Sequence, residues 1–275
     1  MKKRYVLRFA AWSAVIAITV LAASCSQAPT TPSRTQQTVP VTLTVSAAAS
    51  LKDALQAIQP LYGQQQPQVQ LTYNFGASGS LQRQIEQGAP VDVFISAAAK
   101  QMDALQQNGL LVDSTRQNLL KNQVVLIVPK DADAVTGFQD LVSDRVKKVA
   151  IGEPQSVPAG KYAQEVLTSF KIFQLLQPKL VFGKDVRQVL SYVETGNVDA
   201  GIVYKTDGKR SNQVKMVATA PETSHSPVLY AIAVVKASKN TAAAKEFVQF
   251  LSGSAAGAVF EKSGFLKPAQ QSAGS

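Results

Sequence analysis

The sequence predicts an α/β fold, because segments with the alternation of a β-strand are repeatedly followed by segments with the apolar spacing of a helix. Residues 41–45 alternate between apolar and polar side chains, and Leu51, Leu55 and Ile58 then share one face of a helix predicted over residues 50–62. The same unit recurs at residues 69–75 with 81–87, and at residues 91–96 with 100–107. Runs of this kind favour a mainly parallel sheet covered by helices.

The second half of the chain predicts a further set of alternating elements. Residues 124–128 are apolar throughout, which is typical of a strand buried on both faces. The other strands are predicted at residues 149–151, 200–204, 214–218 and 229–235, and the helices at 160–170, 186–194, 241–252 and 255–263. One sheet of all these strands would be unusually wide, so two lobes are expected. We assign residues 41–121 and 207–268 to the first lobe, residues 122–206 to the second, and residues 269–275 to a flexible tail.

The first 24 residues have the features of a signal peptide. Four cationic residues among the first eight precede an almost wholly apolar stretch at residues 9–23, which is short for a membrane-spanning helix. Cys25, the only cysteine, directly follows a run of small residues that resembles the lipobox of bacterial lipoproteins. We therefore expect Cys25 to carry a lipid, with simple cleavage or an uncleaved anchor as the alternatives. Residues 25–40, rich in Ser, Thr, Gln and Pro, are expected to form a tether.

The charge of the chain argues against a nucleic-acid partner. The net charge of +10 falls to +6 once the four cationic residues of the leader are removed. The remaining basic residues are scattered among acidic ones, which is typical of a solvated surface. Such a surface can still steer an anion toward a cleft.

The residues needed for most enzymatic chemistry are missing from the sequence. His225 is the only histidine and lies in a polar loop, and the only cysteine is assigned to the leader junction. There is no Cys/His spacing of a metal site and no glycine-rich nucleotide loop, so we expect neither catalysis nor a cofactor. A transcription regulator, which can share this kind of fold, would need a helix-turn-helix segment where the leader and tether lie.

Four junctions between a strand and a helix are candidates for a binding site, because ligands of open α/β sheets lie beyond the carboxyl ends of the strands. Helix N-termini at these points carry free N–H groups and favour anions. The junctions lie at residues 46–53, 74–80, 152–160 and 183–187. Ser50 could instead cap its helix, with Asp53 at the spacing of a capping box. Tyr204 could simply end an apolar strand with its hydroxyl in water.

Short strings in five segments of the chain, in this order, resemble the molybdate-binding proteins of the ABC-type molybdate importers. They are AAASL at residues 47–51, QIE, GAP and DVFIS within residues 84–96, VPAG at 157–160, DVR at 185–187 and GIVY at 201–204. The resemblance extends from about residue 42 to residue 267. It implies a two-lobed periplasmic-binding-protein fold of type II that closes on a ligand held between the lobes.

The resemblance also implies a ligand and the residues that bind it. Molybdate or tungstate would be bound by the hydroxyls of Ser50, Ser78 and Tyr204 and by backbone N–H groups that include those of Ala159 and Val186. Ser80 is the alternative to Ser78, because the family has several serines where this chain has GASGS at residues 76–80.

The same resemblance implies a monomer outside the cytoplasmic membrane, with the permease of an ABC importer as its partner. Sulfate, phosphate or a small organic anion is the alternative ligand. Lys161 and Arg187, which adjoin two of the binding residues, are expected to point into solvent.

Overall fold

The computed structural model describes residues 40–268, which form two lobes, each built on a five-stranded sheet. The strands are β1 (Val41–Ala48), β2 (Val69–Gly76), β3 (Val93–Ser96), β4 (Gln117–Lys121), β5 (Val124–Pro129), β6 (Val149–Gly152), β7 (Leu180–Gly183), β8 (Ala200–Tyr204), β9 (Val214–Thr219) and β10 (Leu229–Val234). The helices are α1 (Lys52–Gln65), α2 (Ser78–Glu86), α3 (Ala99–Gln107), α4 (Pro158–Ser169), α5 (Phe173–Leu176), α6 (Val186–Glu194), α7 (Lys205–Arg210), α8 (Thr241–Leu251) and α9 (Ser254–Ser263).

The two sheets have the same architecture. The first has the order β2-β1-β3-β10-β4 and the second the order β7-β6-β8-β5-β9. In each sheet one strand, β10 or β5, is antiparallel to both of its neighbours, so the other four strands share one direction. The prediction of a two-lobed α/β fold with mainly parallel sheets is confirmed.

The chain passes between the lobes twice. It first leaves the first sheet after β4 and enters the second at β5, and it returns between β9 and β10. Backbone hydrogen bonds tie the two passages together, from Asn122 N–H to the Val228 carbonyl (3.1 Å) and from Ala220 N–H to the Val124 carbonyl (2.9 Å). The hinge is therefore a pair of adjacent, hydrogen-bonded segments.

The predicted lobe boundary at residue 206 is wrong. Strand β9 pairs with β5, so the second lobe continues to about residue 220, and the assignment of residues 207–268 to the first lobe must be shortened. The physical reason is that β5 is buried along nearly its whole length and is paired on both edges, by β8 and β9. Because β5 and β9 are about ninety residues apart in the chain, their pairing produces no pattern in the local sequence.

The predicted signal peptide, Cys25, nearly all of the tether and the C-terminal tail lie outside the described residues. Within residues 40–268, no helix has the length and apolar character needed to cross a membrane.

The start of α4 is pressed against the end of β6 through two glycines. A Cβ atom on Gly160 would lie 1.9 Å from the Gly152 carbonyl oxygen, so only glycine fits there. Gly63 of α1 is the opposite case, because a Cβ atom there would meet nothing within 4 Å. The close packing at Gly160 fixes where the first N–H groups of α4 lie.

Two glycine substitutions should therefore change stability in opposite directions. Gly160→Ala should lower the free energy of unfolding by about 1–3 kcal/mol or more, because strand and helix must move apart. Gly63→Ala should raise it by about 0.5–1 kcal/mol, since alanine favours the helix and finds room. Denaturant unfolding of both variants measures this, and equal effects would contradict the packing at Gly160.

Candidate functional site

A small cleft lies where the two lobes face each other. Its first-lobe residues come from the ends of β1 and β2 and the turns after them: Ala48, Ala49, Ser50, Gly76, Ala77 and Ser78. Its second-lobe residues come from the starts of α4 and α6 and the end of β8: Val157, Pro158, Ala159, Asp185, Val186 and Tyr204. The cavity volume of about 10 Å³ is roughly that of one water-sized sphere. The structure thus brings all five predicted binding residues together around one small cleft.

Ser50 lies in a short 3-10 turn that precedes α1 and is almost fully buried. Its side chain makes no capping hydrogen bond, so the alternative of a helix cap is wrong. Its Oγ lies 2.8 Å from the Tyr230 hydroxyl, which also accepts a hydrogen bond from Asn122 Nδ2 at 3.3 Å. Asn122 occupies one acceptor position of Tyr230, which favours the arrangement in which the tyrosine donates to Ser50. The Ser50 proton is then free to point into the cleft.

Asn122 gives this chain of hydrogen bonds its direction. Its Oδ1 accepts from the Gln123 N–H at 2.9 Å, which places the NH2 group toward Tyr230 and toward Thr206 Oγ1, also at 2.9 Å. Asn122 is 2% exposed and belongs to the first hinge passage. Neither Asn122 nor Tyr230 was predicted from the sequence, because neither adjoins one of the four junctions.

Ser78 is the first residue of α2 and is fully buried. Its Oγ accepts a hydrogen bond from Ala97 N–H at 3.0 Å, so the hydroxyl proton is available to another partner. Ser80 does not line the cleft, and its Oγ instead accepts from the Arg83 guanidinium. Of the two alternatives, the structure brings Ser78 to the cleft.

Tyr204 ends β8 and is 1% exposed, so its hydroxyl is not in water. The hydroxyl has no hydrogen-bond partner among the described residues, which is costly for a buried polar group. Burial, together with neighbouring Tyr230, Tyr162 and Asp207, raises the pKa of Tyr204 well above its ordinary value. Tyr204 is therefore a neutral donor at the wall of the cleft.

The helix ends supply backbone donors. Ala159 and Val186 lie in the first turns of α4 and α6, where N–H groups have no carbonyl partner within the helix. Both residues are buried against the cleft. The only charged side chain among the lining residues, Asp185, is the N-cap of α6 and accepts from Gln188 N–H at 2.9 Å. The cleft therefore presents hydroxyls and helix-end amides rather than cations.

The sequence profile of the bacterial extracellular solute-binding proteins matches residues 43–266 of this chain. The chain belongs to this family. Its two lobes are thus the fold of a solute-binding protein.

Named relatives of this solute-binding protein agree with the family. The chain is 39% identical to the molybdate-binding protein ModA of Haemophilus influenzae over 229 residues, covering 81% of this chain and 89% of the relative. It is 45% identical to YvgL of Bacillus subtilis, named as a candidate ABC transporter substrate-binding lipoprotein, covering 96% and 99% of the two chains. A solved structure from Clostridium difficile, the substrate-binding domain of a candidate molybdenum ABC transporter, is 50% identical, with a TM-score of 0.66 and coverage of 83% and 100%.

The lobes of this solute-binding protein touch beside the cleft. Gly79 of the first lobe donates its N–H to the Ser156 carbonyl of the second at 3.0 Å. A Cβ atom at residue 79 would lie 2.7 Å from that carbonyl oxygen, so glycine permits the approach. The two lobes are therefore in direct contact beside the cleft.

Arg187 does not point into solvent, contrary to the sequence-based expectation. Its side chain is 19% exposed; its Nε lies 2.9 Å from Oδ1 of the fully buried Asp207, and its Nη2 lies 2.7 Å from Oδ2 of Asp53. The Arg187–Asp207 contact is an ion pair without the angles of an aligned hydrogen bond. A buried carboxylate needs a cation nearby, and the sequence did not show that Asp207 is buried. Lys161 is half exposed and pairs with Glu165, as expected of a solvated residue.

Asp207 should make the stability of this solute-binding protein depend on pH. Burial raises its pKa from 3.8 to about 6, although Arg187 opposes the shift. The folded state thus holds a proton that the unfolded state releases, so the contribution of Asp207 to stability is lost as pH rises from about 4 to 6.

We expect the free energy of unfolding of Asp207→Asn, relative to the parent, to increase between pH 4 and pH 7. Denaturant unfolding at several pH values measures this, and the trend rather than the offset is the readout. Asp131→Asn, at an exposed aspartate of the same lobe, is the control. A difference that is flat or falls with pH would contradict a raised pKa at Asp207.

Proposed function

We propose that this protein binds molybdate, or tungstate in its place, outside the cytoplasmic membrane and delivers it to the permease of an ABC importer. The family membership and the similarity to molybdate-binding ModA proteins support the proposal. In this proposal the protein acts as a monomer, catalyses no reaction and uses no cofactor. The metal enters only within the bound oxyanion.

The observation that carries the proposal is the buried hydroxyl of Tyr204, which has no hydrogen-bond partner within residues 40–268 and shares one small cleft with the hydroxyls of Ser50 and Ser78. Ala159 and Val186, whose N–H groups lie in the first turns of two helices, line the same cleft. A tetrahedral oxyanion without protons offers acceptors in every direction, which suits a ring of neutral donors. Each helix N-terminus favours an anion by about 0.3–2 kcal/mol, so the charge needs no ion pair.

The way in which Ser50 and Ser78 are held adds to this support. The hydroxyl oxygen of Ser50 lies against the Tyr230 hydroxyl, and the hydroxyl oxygen of Ser78 accepts a hydrogen bond from the Ala97 N–H. Both serines are therefore oriented to donate outward before a ligand arrives. Preorganised donors of this kind favour a fully deprotonated anion over one that must itself donate a proton.

The size of the closed cleft should set the selectivity. Molybdate and tungstate are nearly equal in size and sulfate is smaller, so a rigid set of donors leaves gaps around sulfate. We expect molybdate and tungstate to compete equally and sulfate and phosphate to bind poorly. Isothermal titration calorimetry of the purified protein with the four anions tests the proposal. Sulfate or phosphate bound as tightly as molybdate would instead indicate a receptor for the alternative oxyanions.

Ser50→Ala should weaken molybdate binding by about 1–3 kcal/mol, because a desolvated anion loses a donor and gains no replacement. Ser80→Ala is the matched control, because Ser80 lies on the same turn of chain as Ser78 but outside the cleft. Calorimetry and thermal unfolding should both be measured, so that lost binding is separated from lost folding. Molybdate affinity equal to that of the parent in Ser50→Ala would disprove the assignment of this site.

We further propose that Cys25 is lipidated and anchors the protein at the outer face of the membrane. The lipobox resemblance and the lipoprotein in the name of the Bacillus subtilis relative support this. Mass spectrometry of the mature N-terminus tests it, and an unmodified Cys25 would disprove it.

A further inference from the structure

One carboxylate of the first lobe is bound by two guanidinium groups of the second. Asp53 Oδ2 lies 2.7 Å from Arg187 Nη2 and 2.8 Å from Arg210 Nε. Both ion pairs of Asp53 within residues 40–268 therefore cross from α1 to helices of the other lobe. Burial raises the pKa of Asp53, but Arg187 and Arg210 outweigh it and leave the pKa below its ordinary value.

Arg187 also joins the two halves of the cleft directly. It follows Val186, a cleft residue of the second lobe, and its Nη2 donates to the carbonyl of Ser50, a cleft residue of the first, at 3.3 Å. Arg187 thus contacts the backbone of Ser50, one predicted binding residue, and directly follows Val186, another, in the sequence. Separation of the two lobes must break these contacts.

Asp207 aims Arg187 from within the second lobe. The carboxylate is fully buried and its ion pair with Arg187 Nε joins α6 and α7, which both belong to the second lobe. This pair does not cross the cleft, so separation of the lobes leaves it intact. Arg187 is therefore held in position to meet Asp53 whenever the lobes approach.

The charges around Asp53 strengthen this attraction. Asp53 is the only acidic residue lining a pocket of about 170 Å³ between the lobes, where Lys209 and Arg210 of the second lobe also lie. An open arrangement would separate Asp53 from these cations, and closure would reunite them. The contact is charge-assisted and partly shielded from water, which makes it stronger than an exposed pair.

We propose that Asp53, with Arg187 and Arg210, forms an interlobe latch that favours the closed state and so raises the affinity for the anion without touching it. The latch rests on the proposed function only for the identity of the anion. Because apparent affinity scales with the fraction of molecules in the closed, binding-competent state, loss of the latch weakens binding. Arg187 and Asp53 are thus positioning residues for the cleft.

The sign of the effect separates a latch from simple electrostatics. Asp53 is a negative charge near an anion site, so its removal by charge alone would tighten anion binding. The latch requires the opposite. Asp53→Ala should bind molybdate about tenfold more weakly than the parent, and Arg210→Gln, which keeps the Arg187 contacts, should show a smaller loss in the same direction. Asp113→Ala, at an exposed acid of the first lobe, is the matched control.

Calorimetry with molybdate and small-angle X-ray scattering with and without molybdate test the latch together. Without the anion, Asp53→Ala should have a larger radius of gyration than the parent, and saturating molybdate should make the two equal. Affinity that is unchanged or increased in Asp53→Ala would overturn the latch, as would weaker binding with no change in scattering. Thermal unfolding excludes a folding defect, and Arg210→Gln provides a second variant if Asp53→Ala does not fold.

The scattering comparison needs no ligand, so it judges the latch by itself. If the parent protein bound no molybdate, the proposed function would be disproved. The radii of gyration of the anion-free parent and variant would still decide whether Asp53 favours closure of the lobes.

Discussion

The cleft depends on one constraint, which is that its donors must be neutral and already oriented when the lobes meet. A chain of hydrogen bonds from Asn122 through Tyr230 to Ser50 meets this constraint in the first lobe. The first turns of α4 and α6 meet it in the second lobe, because helix geometry leaves their N–H groups free. Because the donors are oriented before binding, the entropic cost of binding a ligand is lower.

Closure follows from the same arrangement. The donors lie on two lobes that are joined by a pair of hydrogen-bonded hinge segments, so neither half is complete alone. Asn122 belongs to the hinge and also directs Tyr230, which links hinge geometry to the orientation of Ser50. Gly79 allows the lobes to approach closely at Ser156. A ligand that touches both lobes stabilises the closed state by its differential affinity.

Cationic side chains are absent from the lining of the cleft and lie around it instead. Arg187 is adjacent to Val186, yet its guanidinium is held by Asp207 and Asp53 and does not line the cleft. The buried Asp207 can be tolerated because Arg187 lies beside it, and Arg187 in turn is fixed by Asp207. Cations placed in this way act on the movement of the lobes rather than on direct contact with a ligand.

The sequence by itself determined the α/β class and the two lobes, and its resemblance to the molybdate-binding proteins pointed to four residues of the cleft, Ser50, Ala159, Val186 and Tyr204. Alternating apolar patterns are local, and short strings such as VPAG at residues 157–160 keep their order along the chain. Tertiary structure alone decided which sheet receives β9, that Ser78 rather than Ser80 reaches the cleft, and that Arg187 turns inward to Asp207. It also revealed Tyr230 and Asn122 as supports of Ser50. These features depend on contacts between residues far apart in the chain, and local periodicity carries no information about such contacts.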